Sequence, residues 1–468
     1  MTPRLTRRQF ALGCSAGIAA MAGGRLGGLV FADPKRRQQG AKDPILLVVF
    51  LRGGMDGLHF CAPVDDRDYV AARAGDLRIH ESGDQAGLRL DRGLGGDFRL
   101  HQAARPLHEL YQANRLAIVH ACGLTSGTRS HFDAMDLMER GSVSDKGLST
   151  GWLARHLSLE QPAGLLPVVA AGSSTPGSLL GSPEAVSIWQ PEGFALATHW
   201  QEPAEASEIL RGFYQGGESP LHGAARRTLD AVRLVQRGIP RDDDGIARPY
   251  EPENGAEYPD DWSWQQSLIT VAGLIKMDLG LTTATLDFGG WDTHEGQGWR
   301  FPQQVDNLAR GLGALYNDLH RYHDRLTIVV MSEFGRRLKS NESGGTDHGH
   351  GNLMMVLGQQ VLGGKMYGRW PGLATEQLDD RADLAITTDY RQVLAELLVR
   401  GLGNPRLGRV FPGLERYEPL GLLQGQDLPI DWTAEQPTPV VPGATATPVA
   451  APTQGRPTEQ VYLPRLGR

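Results

Sequence analysis

Cysteine is scarce: three in 468 residues, at Cys14, Cys61 and Cys122. No Cys-x-x-Cys pair occurs, so the usual thiolate metal and dithiol redox motifs are excluded. Cys61 and Cys122 each accompany a strand-like stretch, so they are either paired or buried as free thiols. The chain also lacks a basic block, which argues against nucleic acid as a partner. No apolar run is long enough to span a bilayer. Glycine, by contrast, is abundant at 60 residues. It has no collagen-like period, and it clusters where strands should end.

The N-terminus has the form of an export signal. Thr6-Arg7-Arg8-Gln9-Phe10-Ala11-Leu12 is a twin-arginine pattern, followed by a weakly apolar run to about Ala22. Val30-Phe31-Ala32 suits cleavage, giving a signal of residues 1–32. Loss of its four arginines takes the formal charge from -7 to -11. The expected partner in export is the Tat translocase. The expected destination is the periplasm or the extracellular space.

Ile45 to Leu51 is continuously apolar and predicts a central strand buried on both faces. Leu116–Cys122, Pro167–Ala171, Leu281–Phe288, Thr327–Met331 and Leu353–Leu357 predict further strands. Helical patterns fall at 102–112, 132–139, 152–156, 203–237, 263–278, 303–321 and 388–400. The alternation predicts an α/β fold with a mostly parallel central sheet and helices on both faces. Residues 33–420 form that domain, with 240–262 a polar surface insertion. Residues 421–468 are rich in Pro, Thr and Ala and predict a disordered tail.

The chemistry gathers in glycine-bearing loops after strands, where parallel sheets place their sites. Thr346-Asp347-His348-Gly349-His350-Gly351-Asn352 packs a carboxylate and two imidazoles into four positions. Its glycines predict a loop and not a packed strand. Asp292 and His294 stand two apart, so in extended backbone they share a side. Asp56 ends the first strand between glycines. Glu333 follows another strand, and it is a ligand, a carboxylate orienting a histidine, or a helix-cap neighbour. Asp56, Asp292, His294, Glu333, Asp347, His348 and His350 are thus the candidate ligands. Nitrogen and oxygen donors of this kind suit one or two divalent ions such as zinc or manganese. Ser130 heads the helix that begins near Phe132 and is the candidate nucleophile; its capping role is the bland alternative. Arg129 and Arg336 are candidates to stabilise anionic charge, and His131 beside Ser130 could hold an anionic ester.

Several stretches together carry a family resemblance. They are Phe50-Leu51-Arg52-Gly53-Gly54-Met55-Asp56-Gly57, Ser130-His131-Phe132-Asp133, Gly290-Trp291-Asp292-Thr293-His294, Ser332-Glu333-Phe334-Gly335-Arg336, the Thr346–Asn352 stretch and Thr388-Asp389-Tyr390-Arg391. Over roughly residues 44–416 the chain resembles the domain-of-unknown-function 1501 family, which is similar to the alkaline phosphatase/sulfatase superfamily. That resemblance implies an alkaline phosphatase-like sheet with a one-metal or two-metal site at its carboxyl edge. It also implies hydrolysis of phosphate or sulfate esters, small or polymeric. Glu333-Phe334 stands where the superfamily has Asp-His, and Phe334 cannot ligate. The expectation is an exported metal-dependent hydrolase. The alternative is a non-catalytic protein that keeps the fold and binds an envelope or secreted-polymer partner.

Overall fold

A computed structural model of the chain describes residues 43–162, 164–196, 203–217 and 219–434. The twin-arginine segment lies outside them. Nine strands build the central sheet among these residues. In chain order they are β1 (Ile45–Leu51), β2 (Leu116–Gly123), β3 (Val168–Ala170), β4 (Ala185–Ser187), β5 (Thr283–Phe288), β6 (Leu326–Ser332), β7 (Asn352–Gly358), β8 (Lys365–Tyr367) and β9 (Thr388–Asp389). Their spatial order is β8-β2-β7-β6-β1-β5-β3-β4, with β9 also paired to β2.

β1 is the axis, parallel to both β5 and β6. All seven of its residues are buried, as the apolar run predicts. Alternate side chains serve opposite layers. Ile45, Leu47, Val49 and Leu51 pack in one core with residues of the helices at Trp262–Lys276 and Gln297–Asp318. Leu46, Val48 and Phe50 pack in the other with residues of His131–Glu139, Trp152–Glu160 and Tyr390–Glu396. The sheet is therefore mostly parallel with helices on both faces. Cys61 and Cys122 are free and buried.

β7 alone runs against its neighbours, antiparallel to β2 and β6. No helix intervenes between β6 and β7, and an antiparallel return needs only a short connection. That connection is a hairpin, with Arg336–Ser340 paired antiparallel to Thr346–His348. The loop expected at Asp347-His348 is thus partly a short strand, because Gly344 at φ +70° makes the turn and Arg336 lies opposite His348. The helix expected from 303 begins earlier, at Gln297, and runs through Pro302, with Gln297 and Phe301 anchoring its first turns in the interior.

Residues 421–433 stay on the domain, whereas 435–468 lie outside the described residues. The buried Glu396 carboxylate accepts the backbone N–H groups of Leu420, Gly421, Leu422 and Leu423 at 2.5–3.1 Å and pairs with Arg400 at 3.0 Å. Leu422 and Leu423 are buried beneath it. Replacing Glu396 by Ala orphans these donors and should cost about 3–5 kcal/mol. Denaturant unfolding measures the cost, and amide exchange at 420–423 should accelerate. A loss below about 1 kcal/mol with protected amides would mean that apolar burial alone holds the segment.

Candidate metal centre

β1, β2, β5 and β6 present their carboxyl ends at one edge of the sheet, and β7 begins there. The loops at this edge bring three imidazoles to one carboxylate. Asp292 follows β5; its Oδ1 lies 3.2 Å from His294 Nε2 and 3.3 Å from His348 Nε2, and its Oδ2 lies 3.4 Å from His131 Nε2. The Nε2 atoms of His294 and His348 are only 2.8 Å apart. His131, Asp292 and His348 each offer a ligand atom within 4.8 Å of the others.

Each histidine is oriented through its other nitrogen. His348 Nδ1 lies 2.8 Å from the Arg129 carbonyl. A carbonyl only accepts, so this nitrogen carries the proton and Nε2 keeps its lone pair. His131 Nδ1 lies 2.7 Å from Glu333 Oε1, and His294 Nδ1 lies 3.3 Å from Asp347 Oδ1. Carboxylates and carbonyls behind ligating histidines are the usual means of fixing ring and tautomer. His131 Nε2 is buried with no hydrogen-bond partner. Two imidazole nitrogens 2.8 Å apart need a proton or a cation between them, and His131 Nε2 has only the longer contact to Asp292.

Burial raises the Asp292 pKa, but Arg336 at 2.5 Å and His348 outweigh it and bring it to about 2. Burial also works to raise Glu333, yet His131 and the Gly53 N–H hold it below the usual carboxylate range. The hydrogen bond to Glu333 in turn raises His131. Burial, then the Arg336 charge, lowers His348. The side chains of Asp292 and His294 are 47% and 43% exposed, so the centre opens to solvent on their side. Phe334 closes the other side, its ring centroid 4.8 Å from His131 and 4.9 Å from His348. Gly54, at φ +62°, lies against that ring, and a Cβ there would sit 2.4 Å from it.

The remaining sequence candidates do not converge on Asp292 as these three imidazoles do. Asp56 is fully buried and spent: Arg73 reaches it at 2.6 and 2.9 Å, Gln297 at 2.7 Å, and it caps the turn at Leu58 and His59. Its lone pairs hold structure and do not join the cluster. His350 pairs with Asp379 at 2.5 Å, away from the three converging imidazoles. Glu333 and Asp347 touch histidines and act behind them. Arg129 pairs with Asp380 and Asp383, each at 2.6 Å, and lends the centre its carbonyl. Arg336 is buried among carbonyls and Asp292. Ser130 is an exposed N-cap, its Oγ 3.5 Å from the Asp133 nitrogen. The residue missing from the expected ligand set is His131. Its place beside Ser130 at the head of a helix was visible, but nothing local ties it to Asp292.

The fold and the cluster define an α/β protein with a nitrogen-rich ligand set at the carboxyl edge of its sheet. Residues 253–401 match the family described as Protein of unknown function (DUF1501), as the sequence motifs imply. That stretch holds Asp292, His294, Glu333, Asp347 and His348, whereas His131 precedes it. Among similar solved structures is the C-terminal periplasmic domain of EcEptC from Escherichia coli: 7% identity, TM-score 0.34, covering 77% of this chain and 82% of that one. PsFucS1 sulfatase from Pseudoalteromonas sp. is 11% identical, with TM-score 0.29 and coverage of 78% and 68%. Alkaline phosphatase from the Antarctic bacterium TAB5 is 9% identical, with TM-score 0.25 and coverage of 68% and 93%. No curated protein matches the chain.

Zinc affinity, measured by competition with a chromophoric chelator, tests these roles. Glu333→Gln and Asp347→Asn should each weaken binding about 10–100-fold. Asp56→Asn should bind zinc as wild type does yet lose about 3–5 kcal/mol of stability, because Arg73 is left buried without its partner. Metal loss in Asp56→Asn with none in Glu333→Gln would reverse the assignment.

Proposed function

We propose that the chain is an exported metal-dependent hydrolase of phosphate or sulfate esters. The observation that carries this reading is the convergence of three imidazole Nε2 atoms on the ionised Asp292, one of them buried without a partner. His131, Asp292 and His348 offer donor atoms close enough to share one borderline divalent ion, zinc or manganese, with His294 beside them. Such an ion, when bound, polarises an ester oxygen and makes a nearby hydroxyl or water acidic.

The protein's own contribution is orientation and charge. Glu333, Asp347 and the Arg129 carbonyl hold the three rings. Arg336 keeps Asp292 ionised and in place. Ser130 offers an exposed hydroxyl one residue before His131, at the N-terminus of a nine-residue helix whose dipole favours an anionic oxygen. The attacking oxygen is that hydroxyl or a water. The side chains of Arg129 and Arg336 already serve internal partners, so the ester's charge falls to the ion and the helix terminus. That same commitment favours the second reading, a non-catalytic protein that keeps the fold and binds an envelope or secreted-polymer partner.

Export by the Tat translocase accords with a metal centre assembled before transport. The twin-arginine pattern supports it, and among the described residues no helix is long and apolar enough to cross a membrane. The working compartment is then the periplasm or beyond.

The mature protein, purified without chelators, should carry about one equivalent of metal. It should hydrolyse aryl phosphate or aryl sulfate esters, and chelation should abolish turnover. Ser130→Ala should keep the metal and lose turnover on the order of 10³-fold if the serine attacks. Retained turnover would assign the attack to water. A metal-loaded protein without turnover on either ester class would favour the binding reading, and a folded protein that takes up no metal would sink the hydrolase and leave the binding reading in front.

A further inference from the structure

The loop after β2 brings His131 and the Arg129 carbonyl to the metal centre. Its own backbone does little to hold it there. Among the described residues, 125–129 form no backbone–backbone hydrogen bond, and Thr125 and Gly127 are exposed. Ser126 Oγ accepts from the Thr128 N–H at 3.4 Å and Thr128 Oγ1 from the Ser130 N–H at 3.2 Å, both within the loop. Yet the Arg129 carbonyl stands 2.8 Å from His348 Nδ1, where a shift of about 1 Å would break the bond.

The Arg129 side chain supplies the anchor. Its guanidinium donates from Nε and Nη2 to Asp383 Oδ2 at 2.9 and 2.6 Å, and from Nη2 to Asp380 at 2.6 Å. The two carboxylates differ in their surroundings. Asp383 is fully buried, whereas the Asp380 side chain is 67% exposed. An exposed pair holds weakly, but a buried carboxylate and its cation are kept together by the cost of leaving either unpaired. Asp383 is fixed in turn to the hairpin that carries His348. The Ala382 carbonyl accepts from the Leu338 N–H at 3.0 Å, and the Leu384 carbonyl accepts from the Gly351 N–H at 2.9 Å. Asp383 also exchanges backbone bonds of 2.9 Å with Asp379, and Arg337 Nε lies 3.7 Å from its second oxygen. The turn between the two aspartates takes Asp380 and Arg381 through φ +48° and +57°. Left-handed backbone is costly for residues with a Cβ, so it persists only where the surrounding bonds impose it.

From this arrangement we infer that Asp383 is a positioning residue of the centre. It acts through Arg129, 254 residues away in sequence, and stitches the loop after β2 to the hairpin after β6. The pair sets the Arg129 carbonyl against His348, which holds the proton on Nδ1 and leaves Nε2 free. It also keeps the His131 and His348 rings together, their centroids 4.3 Å apart. The inference rests on the metal-centre reading but does not depend on ester hydrolysis.

Two measurements on the full mature chain test it. Nitrogen NMR of metal-free, histidine-labelled protein, with His348→Gln to assign the ring, should show the Nδ1–H tautomer at His348 in the wild type. In Asp383→Asn the Nε2–H form should rise to a comparable share. Zinc affinity, by competition with a chelator, should fall about tenfold in Asp383→Asn and in Arg129→Gln. Because the two residues act as one clamp, the double variant should bind no more weakly than either single. Asp380→Asn should change the affinity by less than about threefold. If Asp383→Asn does not fold, Arg129→Gln, at a part-exposed site, carries both measurements. A role in folding alone would lower the melting temperature and leave tautomer and affinity as in the wild type, and that result overturns the assignment, as do additive losses in the double variant. A wild type that binds no zinc sinks the metal reading, and the tautomer then decides this inference by itself.

Discussion

One buried guanidinium holds the centre together. Arg336 donates to the carbonyls of Gly53, Gly54, Trp291 and Thr346 and to the carboxylate of Asp292. These acceptors come from the loops after β1 and β5 and from the hairpin after β6. A charge at 1% exposure is tolerable only when its donors are met, and here all three nitrogens have acceptors. The arrangement works in both directions. The carbonyls fix Arg336, and Arg336 fixes where three separate loops stand relative to one another. It also keeps Asp292 ionised at the point where the imidazoles converge. A lysine could not replace it, because a single ammonium lacks the planar fork that reaches several acceptors at once.

The antiparallel return of β7 gives the centre its third loop. A helical crossover after β6 would have sent the chain away from the carboxyl edge. The hairpin instead folds back over it and lays His348 opposite Arg336. Ligand placement thus follows from topology as much as from motif. His131 arrives from the other side, at the head of the helix after β2, and Phe334 packs against both rings. The Glu333-Phe334 pair therefore has a clear use. The glutamate orients His131 from behind, and the phenylalanine gives the two imidazoles an apolar wall.

Much of this was legible in the sequence. The apolar runs located the central strands, and the β5 and β6 endings pointed to Asp292, His294 and the Asp347-His348 loop, though not to its hairpin. Their spacing also carried weight, since Asp292 and His294 do share a side as residues two apart in extended chain should. What sequence could not supply was the partner of each carboxylate. Asp56 looked like a ligand because it ends a strand between glycines. Arg73, 17 residues on, neutralises it inside the protein, and no local pattern announces that pairing. Glu333 and Asp347 stand against His131 and His294, but whether a carboxylate ligates or orients depends on its direction. His131 and Asp292 meet across 161 positions, a proximity that only the fold creates.

The donor set itself bears on which ion would be held. Three imidazole nitrogens and one carboxylate oxygen are a poor match for magnesium or calcium, which take oxygen shells. Imidazole suits zinc, and for a given nitrogen and oxygen site first-row affinity climbs from manganese to a peak at copper and falls at zinc. The His348 ring is pre-oriented with its proton on Nδ1, so an ion need displace no proton from it to bind. Burial and the Arg336 charge lower the His348 pKa and keep that lone pair free. The half-exposed Asp292 and His294 leave an approach from solvent. A closed structural zinc site would bury all four donors, whereas a catalytic one keeps an open position. On that criterion the half-exposed donors accord with the open site proposed above, for zinc or manganese alike.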